Sequence, residues 1–369
     1  MLDAQIHQDF WDRELNGTEA EANFWEYGLK NSLLQGYFKF MVDVAVLLGA
    51  DKTKAKDELK EVMVLENQLA NIKMSTKDSK DPKKAFNLQM LKKFNNNGGF
   101  PSSWTTYVKK LYKYEDEDLK IKEDEIVIIS DKNFYDKLGT IIASTNKKTL
   151  FNYIGWRVAK DSLNYLTPEA RKVSQKFDKL MTGVKANKPR WKACLEEVGF
   201  NTGAGGTFAV AVSSMYARYV YNTVSEGSKK EVLDMTEYVR KAFDKLLDEV
   251  KWMDNETKKK AKTKLTNMKQ FMAYPDESLD KDKVDGFYDG LELDVGKYFE
   301  NTLKVAKHLK KNLDLSLRKV AIAGEWTGRH VAVVNAMYMP FSNAIQFPAG
   351  ILQGMLELIY LNGFYIRAG

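Results

Sequence analysis

Val331-Ala332-Val333-Val334-Asn335-Ala336-Met337-Tyr338-Met339-Pro340-Phe341-Ser342-Asn343-Ala344-Ile345-Gln346-Phe347-Pro348-Ala349-Gly350-Ile351-Leu352-Gln353 is the most informative stretch of the chain. Residues 331–338 are apolar and rich in valine, and they predict a strand. Met339 to Asn343 supply turn residues, and Ala344 to Phe347 predict a second short strand. The whole reads as a β-hairpin with a five-residue loop. Asn335 interrupts the apolar run with an amide that both donates and accepts. An exposed strand can pair the free N–H and C=O groups of an extended peptide, and such an amide could clamp one peptide bond at both ends.

Upstream of the hairpin the periodicity is helical. Tyr37, Phe38, Met41, Val44, Ala45 and Leu48 share one face of a helix that Gly49 closes. Leu59, Val62, Met63, Leu69 and Ile72 mark the next helix. Residues 75–100 read as a polar loop broken at Asn95-Asn96-Asn97-Gly98-Gly99. Trp104, Tyr107, Leu111 and Tyr112 begin another helix, and Ile126-Val127-Ile128-Ile129 predicts a short strand. Leu150, Tyr153, Ile154 and Val158 follow an expected N-cap at Thr145. The longest stripe is Val232, Met235, Val239, Phe243, Leu246, Leu247 and Val250. Asp254 reads as the N-cap of a helix ending before Pro275. The acidic residues 275–296 read as a connection, and a last helix is expected over about 297–318. Gly203 to Gly206 form a small-residue break; no Lys-Ser or Lys-Thr follows, so it is no phosphate loop.

The composition fits this picture. The 369 residues are 44% hydrophobic and 12% aromatic, enough for a packed core, and only seven prolines interrupt them. Fifty acids are interspersed with 57 bases, so the net charge of +7 spreads over solvated helix faces. No aromatic-rich basic motif points to nucleic acid. The single cysteine, Cys194, excludes an internal disulfide and a CxxC metal site. No run of about 18 apolar residues encodes a membrane span, and residues 1–25 are polar and acidic, without a leader pattern.

Val334-Asn335-Ala336-Met337-Tyr338, with Asn343 and Phe347-Pro348-Ala349-Gly350-Ile351-Leu352-Gln353, resembles the neprilysin-family segment V-N-A-x-Y…N-x-I-x-F-P-A-G-I-L-Q. Trp252-Met253-Asp254, Glu256-Thr257-Lys258, Tyr274-Pro275-Asp276, Arg190-Trp191, Trp156-Arg157 and Tyr298-Phe299-Glu300-Asn301 agree with the same family. The resemblance runs from about Tyr37 to Gln353. It implies a mainly α fold: a large helical lobe of the neprilysin type over residues 1–312, then the β-hairpin that starts a thermolysin-like α+β catalytic lobe over 313–369. It implies a zinc metalloendopeptidase of oligopeptides, secreted or anchored as a type II membrane ectodomain. Asn335 and Ala336 match the substrate-binding pair, and Ile351 matches a position lining the pocket for the hydrophobic side chain after the scissile bond. Without the family, packing would account for Val333, Tyr338, Phe347 and Ile351, and Asn335 would merely satisfy a backbone group.

The family's metal would be held by H-E-x-x-H on a helix beyond the hairpin, with a later glutamate as third ligand. This sequence has only His7, His308 and His330, no two of them within a helical turn. No catalytic residue and no metal ligand is therefore assigned, and the chain is expected to be inactive alone, with zinc belonging to the full-length family member. After Gln353 the text departs from the family, which suggests alternative splicing, a frameshift, a gene-model error or a short isoform. A lobe cut after its first hairpin is expected to leave that hairpin's inner face uncovered. The alternative reading is a non-catalytic peptide-binding or interaction protein of the same descent. Cys194 matches a family cysteine whose partner is absent. Asn16-Gly17-Thr18 and Asn255-Glu256-Thr257 have the form of glycosylation acceptors, a tripeptide that also arises by chance.

Overall fold

The computed structural model describes residues 32–79, 81–94, 103–114, 119–199, 208–221, 228–319, 326, 331–340 and 342–352. The chain divides into two compact units, Met1–Asn187 and Lys188–Gly369.

The first unit is built on helices α1 (Ser32–Leu47) and α2 (Lys52–Asn71). Gly49 stops α1 as expected. It adopts φ +99°, which costs a glycine little, so its N–H reaches Val46 O while Ala50 N–H reaches Ala45 O. Asp51 then caps α2 by accepting from Lys54 N at 2.9 Å. A ribbon of β1 (Asn87–Met90), α3 (Trp104–Leu111) and β2 (Ile126–Ile129) follows. The strands pair antiparallel, with Asn87 opposite Ile129 and Met90 opposite Ile126. β2 lies where its sequence predicts it. β1 corrects the expected loop over 75–100: Leu88 is exposed while Asn87 and Gln89 are half-buried, so the strand carries no polar-out alternation and owes its state to pairing with β2. Helices α4 (Lys132–Ser144), α5 (Lys147–Ser162) and α6 (Pro168–Thr182) complete the unit. Asn146, not Thr145, caps α5, because Thr145 N–H still donates to Ile141 O of α4.

Helices α1, α2, α5 and α6 enclose one core. Leu34, Met41, Val44, Val62 and Met63 are fully buried there, and the Phe40 ring stacks on Phe177 at 4.7 Å. Glu66 lies in the same core, accepting the Tyr37 hydroxyl at 2.9 Å, while Trp156 Nε1–H donates to that hydroxyl at 3.0 Å. A second cluster, Leu91, Phe94, Trp104, Ile129 and Leu138, joins the ribbon to α3 and α4.

In the second unit, α7 (Arg190–Val198) and α8 (Ala209–Met215) precede the long α9 (Ser228–Glu249). Gly203 to Gly206 lie outside the described residues. Asp254 caps α10 (Asn255–Thr266) as expected, accepting from Thr257 N at 2.8 Å, and Lys262 ties α10 back to Asp248 of α9 at 2.8 Å. α10 does not run on to Pro275. It ends at Thr266, and β3 (Lys269–Ala273) follows. The acidic connection carries a 3-10 turn and then α11 (Lys281–Phe287), capped by Asp280. α12 (Tyr298–Leu315) comes next.

The expected hairpin is present as β4 (Met337–Met339) and β5 (Ala344–Pro348), and β3 joins it to give the order β3-β5-β4. β3 runs parallel to β5, and β4 antiparallel to it with Tyr338 opposite Ile345. Two details correct the sequence reading. Met339 pairs with Ala344, so the loop has four residues, Pro340 to Asn343, and Asn343 closes it at φ +46°. The first strand is three residues long, not eight. Val331 N–H donates to Ser213 Oγ at 3.1 Å and its C=O accepts from Gly350 N–H at 2.8 Å, so these groups are committed before a ladder could use them. The core of this unit gathers Tyr221, Val232, Met272, Ala273, Val331, Ala349 and Leu352. Among the described residues, no helix is long and apolar enough to cross a membrane.

Candidate functional site

The sheet presents β4 as an edge: among the described residues it pairs only with β5. Asn335 and Ala336, expected inside a strand, stand in the irregular segment immediately before it, and both side chains are exposed. The segment is short and pinned at both ends. Upstream, Val331 is bound to Ser213 and Gly350, and Val333 is buried. Downstream, Met337 is in register with Gln346. A Cβ on Gly350 would lie 2.5 Å from Val333 O, so the absence of a side chain is what lets the backbone over 349–352 approach residues 331–333. Asn335 and Ile351 are two residues and one residue from that contact, so the structure brings the sequence-predicted residues into one neighbourhood. Ile351 is half-buried and packs against the unit's core.

The Asn335 amide is partly used at home. Its Oδ1 accepts Ala336 N–H at 2.8 Å, which turns the side chain back onto its own backbone. That contact accounts for the local bend without a strand, as Asx side chains commonly do. The hairpin tip is held by Asn343, which the sequence reading took as a turn residue. Asn343 Nδ2 donates to Lys264 O at 2.7 Å, Asn343 Oδ1 accepts the Tyr338 hydroxyl at 3.3 Å, and Lys269 N–H donates to Asn343 O at 3.0 Å. Lys264 also lies 5.7 Å from the Tyr338 ring centroid. One asparagine thus joins the tip to the end of α10 and the start of β3. The only signal for this in the sequence was an Asn at a loop end, a residue tolerant of positive φ.

On one face of the sheet lies a cavity of about 400 Å³, bordered by Val232, Val239 and Phe243 of α9, Ile345 and Phe347 of β5, and Leu352. Its wall is almost wholly apolar. The exceptions include Thr236, whose hydroxyl donates to Gln270 Oε1 at 2.7 Å. The stripe on α9 predicted this face, but its outer members remain open to solvent: Val239 is 64% and Phe243 50% exposed.

The remaining candidates stand apart from this edge. His308 Nε2 lies 2.8 Å from Phe287 O and bridges α12 to the end of α11. No group of three His, Cys, Asp or Glu among the described residues could hold a metal ion. Cys194 is a half-buried free thiol on α7. Asn255 is exposed in the first turn of α10, while Asn16 lies outside the described residues.

Residues 14–275 match the sequence profile described as peptidase family M13. Neprilysin-2 of Drosophila melanogaster is 34% identical over 335 residues, covering 89% of this chain and 42% of that protein. Endothelin-converting enzyme 1 of Homo sapiens is 28% identical, covering 93% and 41%. Among solved structures, PepO of Lactobacillus rhamnosis HN001 superposes with a TM-score of 0.71 at 19% identity, over 87% of this chain and 47% of that one. The Mycobacterium tuberculosis zinc metalloprotease Zmp1 bound to an inhibitor gives 0.71 at 19%, over 90% and 47%. The chain spans less than half the length of these relatives.

Proposed function

Because the chain belongs to peptidase family M13, we propose that it forms the helical lobe and the opening strands of a zinc metalloendopeptidase that cleaves oligopeptides. The catalytic lobe would begin after residue 312, in the last turn of α12, with residues 313–369 contributing its first hairpin. An extended peptide would add to the free edge of β4. Asn335 would clamp one of its peptide bonds, the Ala336 carbonyl would accept from it, and Ile351 would line the pocket for a hydrophobic side chain. The observation supporting this reading is the exposed Asn335-Ala336 pair at the head of an edge strand, in a segment pinned on both sides.

The residues present do not fit the family's zinc ion. Two ligand histidines must sit one helical turn apart, and His7, His308 and His330 offer no such pair. No hydrolytic step is therefore derived for this chain, and a second reading keeps the peptide-binding edge without catalysis. Extracellular or cell-surface placement belongs to the same proposal, with Asn255 as an accessible acceptor for glycan.

Fluorescence polarisation with a labelled apolar oligopeptide tests the site. Asn335→Ala is expected to bind about tenfold more weakly, the effect of one lost hydrogen bond near 1.4 kcal/mol, with the melting temperature unchanged. Equal affinity would reject the clamp. Adding zinc to the same samples separates the two readings, since chelator-sensitive cleavage by this chain would overturn the non-catalytic one.

A further inference from the structure

The stretch that offers the peptide-binding edge carries no charge of its own. Residues 331–353 contain no Asp, Glu, Lys or Arg, so any charge that a peptide meets on β4 comes from elsewhere in the fold. The tertiary structure brings one to the hairpin tip. Lys264 stands in the last turn of α10, and its C=O accepts Asn343 Nδ2–H at 2.7 Å, which holds that turn against the loop closing β4. Its ammonium lies 5.7 Å from the centre of the Tyr338 ring, and Tyr338 is the middle residue of β4. The ring is fixed in turn, because its hydroxyl donates to Asn343 Oδ1 at 3.3 Å. Both side chains are open to solvent, Tyr338 by 42%. Neighbouring cations on α10 are engaged: Lys260 pairs with Glu256 at 2.7 Å and Lys262 with Asp248 at 2.8 Å. Lys264 has no carboxylate partner among the described residues. Lys269 begins β3, which β5 separates from β4.

We propose that Lys264 is a specificity residue of the peptide-binding edge and selects peptides that carry an acidic side chain beside Tyr338. This role rests on the proposed addition of an extended peptide to β4. A strand added there lies about 4.8 Å from β4, and its side chain opposite Tyr338 stands about 5 Å away on the same face. An aspartate or glutamate at that position lies beside the ring, within reach of an ammonium on a flexible four-carbon stem. The ring already draws the ammonium to the edge through its π face, so less side-chain freedom is lost when the carboxylate arrives. A lysine or arginine in the peptide meets a like charge instead. Tyr338 is three residues beyond Asn335, roughly 10 Å of extended chain. The acidic residue is therefore expected about three positions from the peptide bond that Asn335 clamps, and selection by charge acts apart from the clamp and from the apolar pocket at Ile351.

Fluorescence polarisation with a series of labelled apolar oligopeptides tests it. Each carries one glutamate, moved along the peptide a position at a time, and each has a counterpart with lysine at the same place. The full chain should bind one glutamate position at least about threefold more tightly than the neutral parent, the size of an exposed ion pair, and the preference should shrink as salt rises. The readout is the ratio of acidic to neutral affinity, so a general loss of binding in a variant cancels. Lys264→Met keeps an aliphatic stem and should bring the ratio to about one. Lys264→Glu should pass the preference to the peptide with lysine at that position. A Lys264 that merely completes the end of α10 would change the melting temperature and leave the ratio untouched, which would overturn the proposal. A ratio near one in the unmodified chain, with Asn335→Ala still weakening the neutral peptide, would overturn it while the β4 edge kept its role. Binding of no peptide at all would overturn both.

Discussion

Helices α1 and α9 carry apolar stripes of the same helical period, yet α1 is enclosed and α9 is not. On α1, Leu34 and Met41 are 0% exposed because α2 and α6 pack against it, while on α9 Val239, Phe243 and Leu246 are 64%, 50% and 54% exposed. The difference teaches that a stripe declares which face is apolar and says nothing about how much of it finds a partner. In the first unit the inner face of α1 meets α2 and α6, although Phe151, Ile154 and Val158 of α5 stay open to solvent. In the second, α9 meets β3 and α10 and leaves its outer turns bare.

The largest test of that contrast is a pair of truncations. Met41→Ala should lose roughly 2–5 kcal/mol, the usual range for a large apolar side chain removed from a closed core. Leu246→Ala, exposed and outside the cavity, should change stability by no more than about 0.5 kcal/mol. Denaturant titration followed by exchange within each unit measures both, and equal losses would break the comparison.

Acid–base behaviour sharpens it next. The enclosure of the first unit includes the Glu66 carboxyl, and burial raises it from its ordinary 4.5 to about 7, against the opposing hydrogen bond from Tyr37 and the charges of Arg157 and Lys160. A carboxyl raised in the folded state holds its proton more tightly there than when unfolded. Its stabilising contribution is therefore full below about 4.5 and lost as pH rises through 7, on the order of 3 kcal/mol in all. Glu66→Gln should flatten this slope in the first unit. A slope that survives the substitution would place its origin elsewhere.

A further test lies in the second unit, at the close approach of Gly350 to the Val333 backbone. Gly350→Ala pushes a methyl group to 2.5 Å from Val333 O, and about 1–3 kcal/mol is the typical cost of such overpacking. Protection should fall at residues 331–337 and in β5, with α1 and α2 unchanged. If peptide affinity fell as well, the pinning of the Asn335 segment would be tied to its use. A variant with full stability would show that the backbone contact can relax freely.

Much of the fold was legible because its causes are local. Gly49 and Asp254 announced helix ends through backbone chemistry within a few residues, and β2 declared itself through four consecutive β-branched residues. The strands that escaped notice, β1 and β3, are four and five residues long and owe their state to partners far along the chain. Gln270 and Lys269 give β3 no apolar alternation, and it exists because β5 pairs with it in parallel across some 75 residues. The length of β4 was misread for the same reason. Nothing near Val331 reveals that Ser213 and Gly350 will take its backbone groups.

For the candidate site the division runs along the same line. The family motif singled out Asn335, Ala336 and Ile351, because a long stretch of matched residues at fixed spacing is a local signature. Their placement on an exposed, pinned segment at the head of an edge, the fastening of the tip through Asn343 to Lys264, and the open groove behind the sheet were decided by tertiary structure. Each of these depends on which distant backbone group or side chain arrives at a given point. Periodicity encodes only the preference of a residue for burial or for a turn, and the partner that meets that preference is chosen when the whole chain packs.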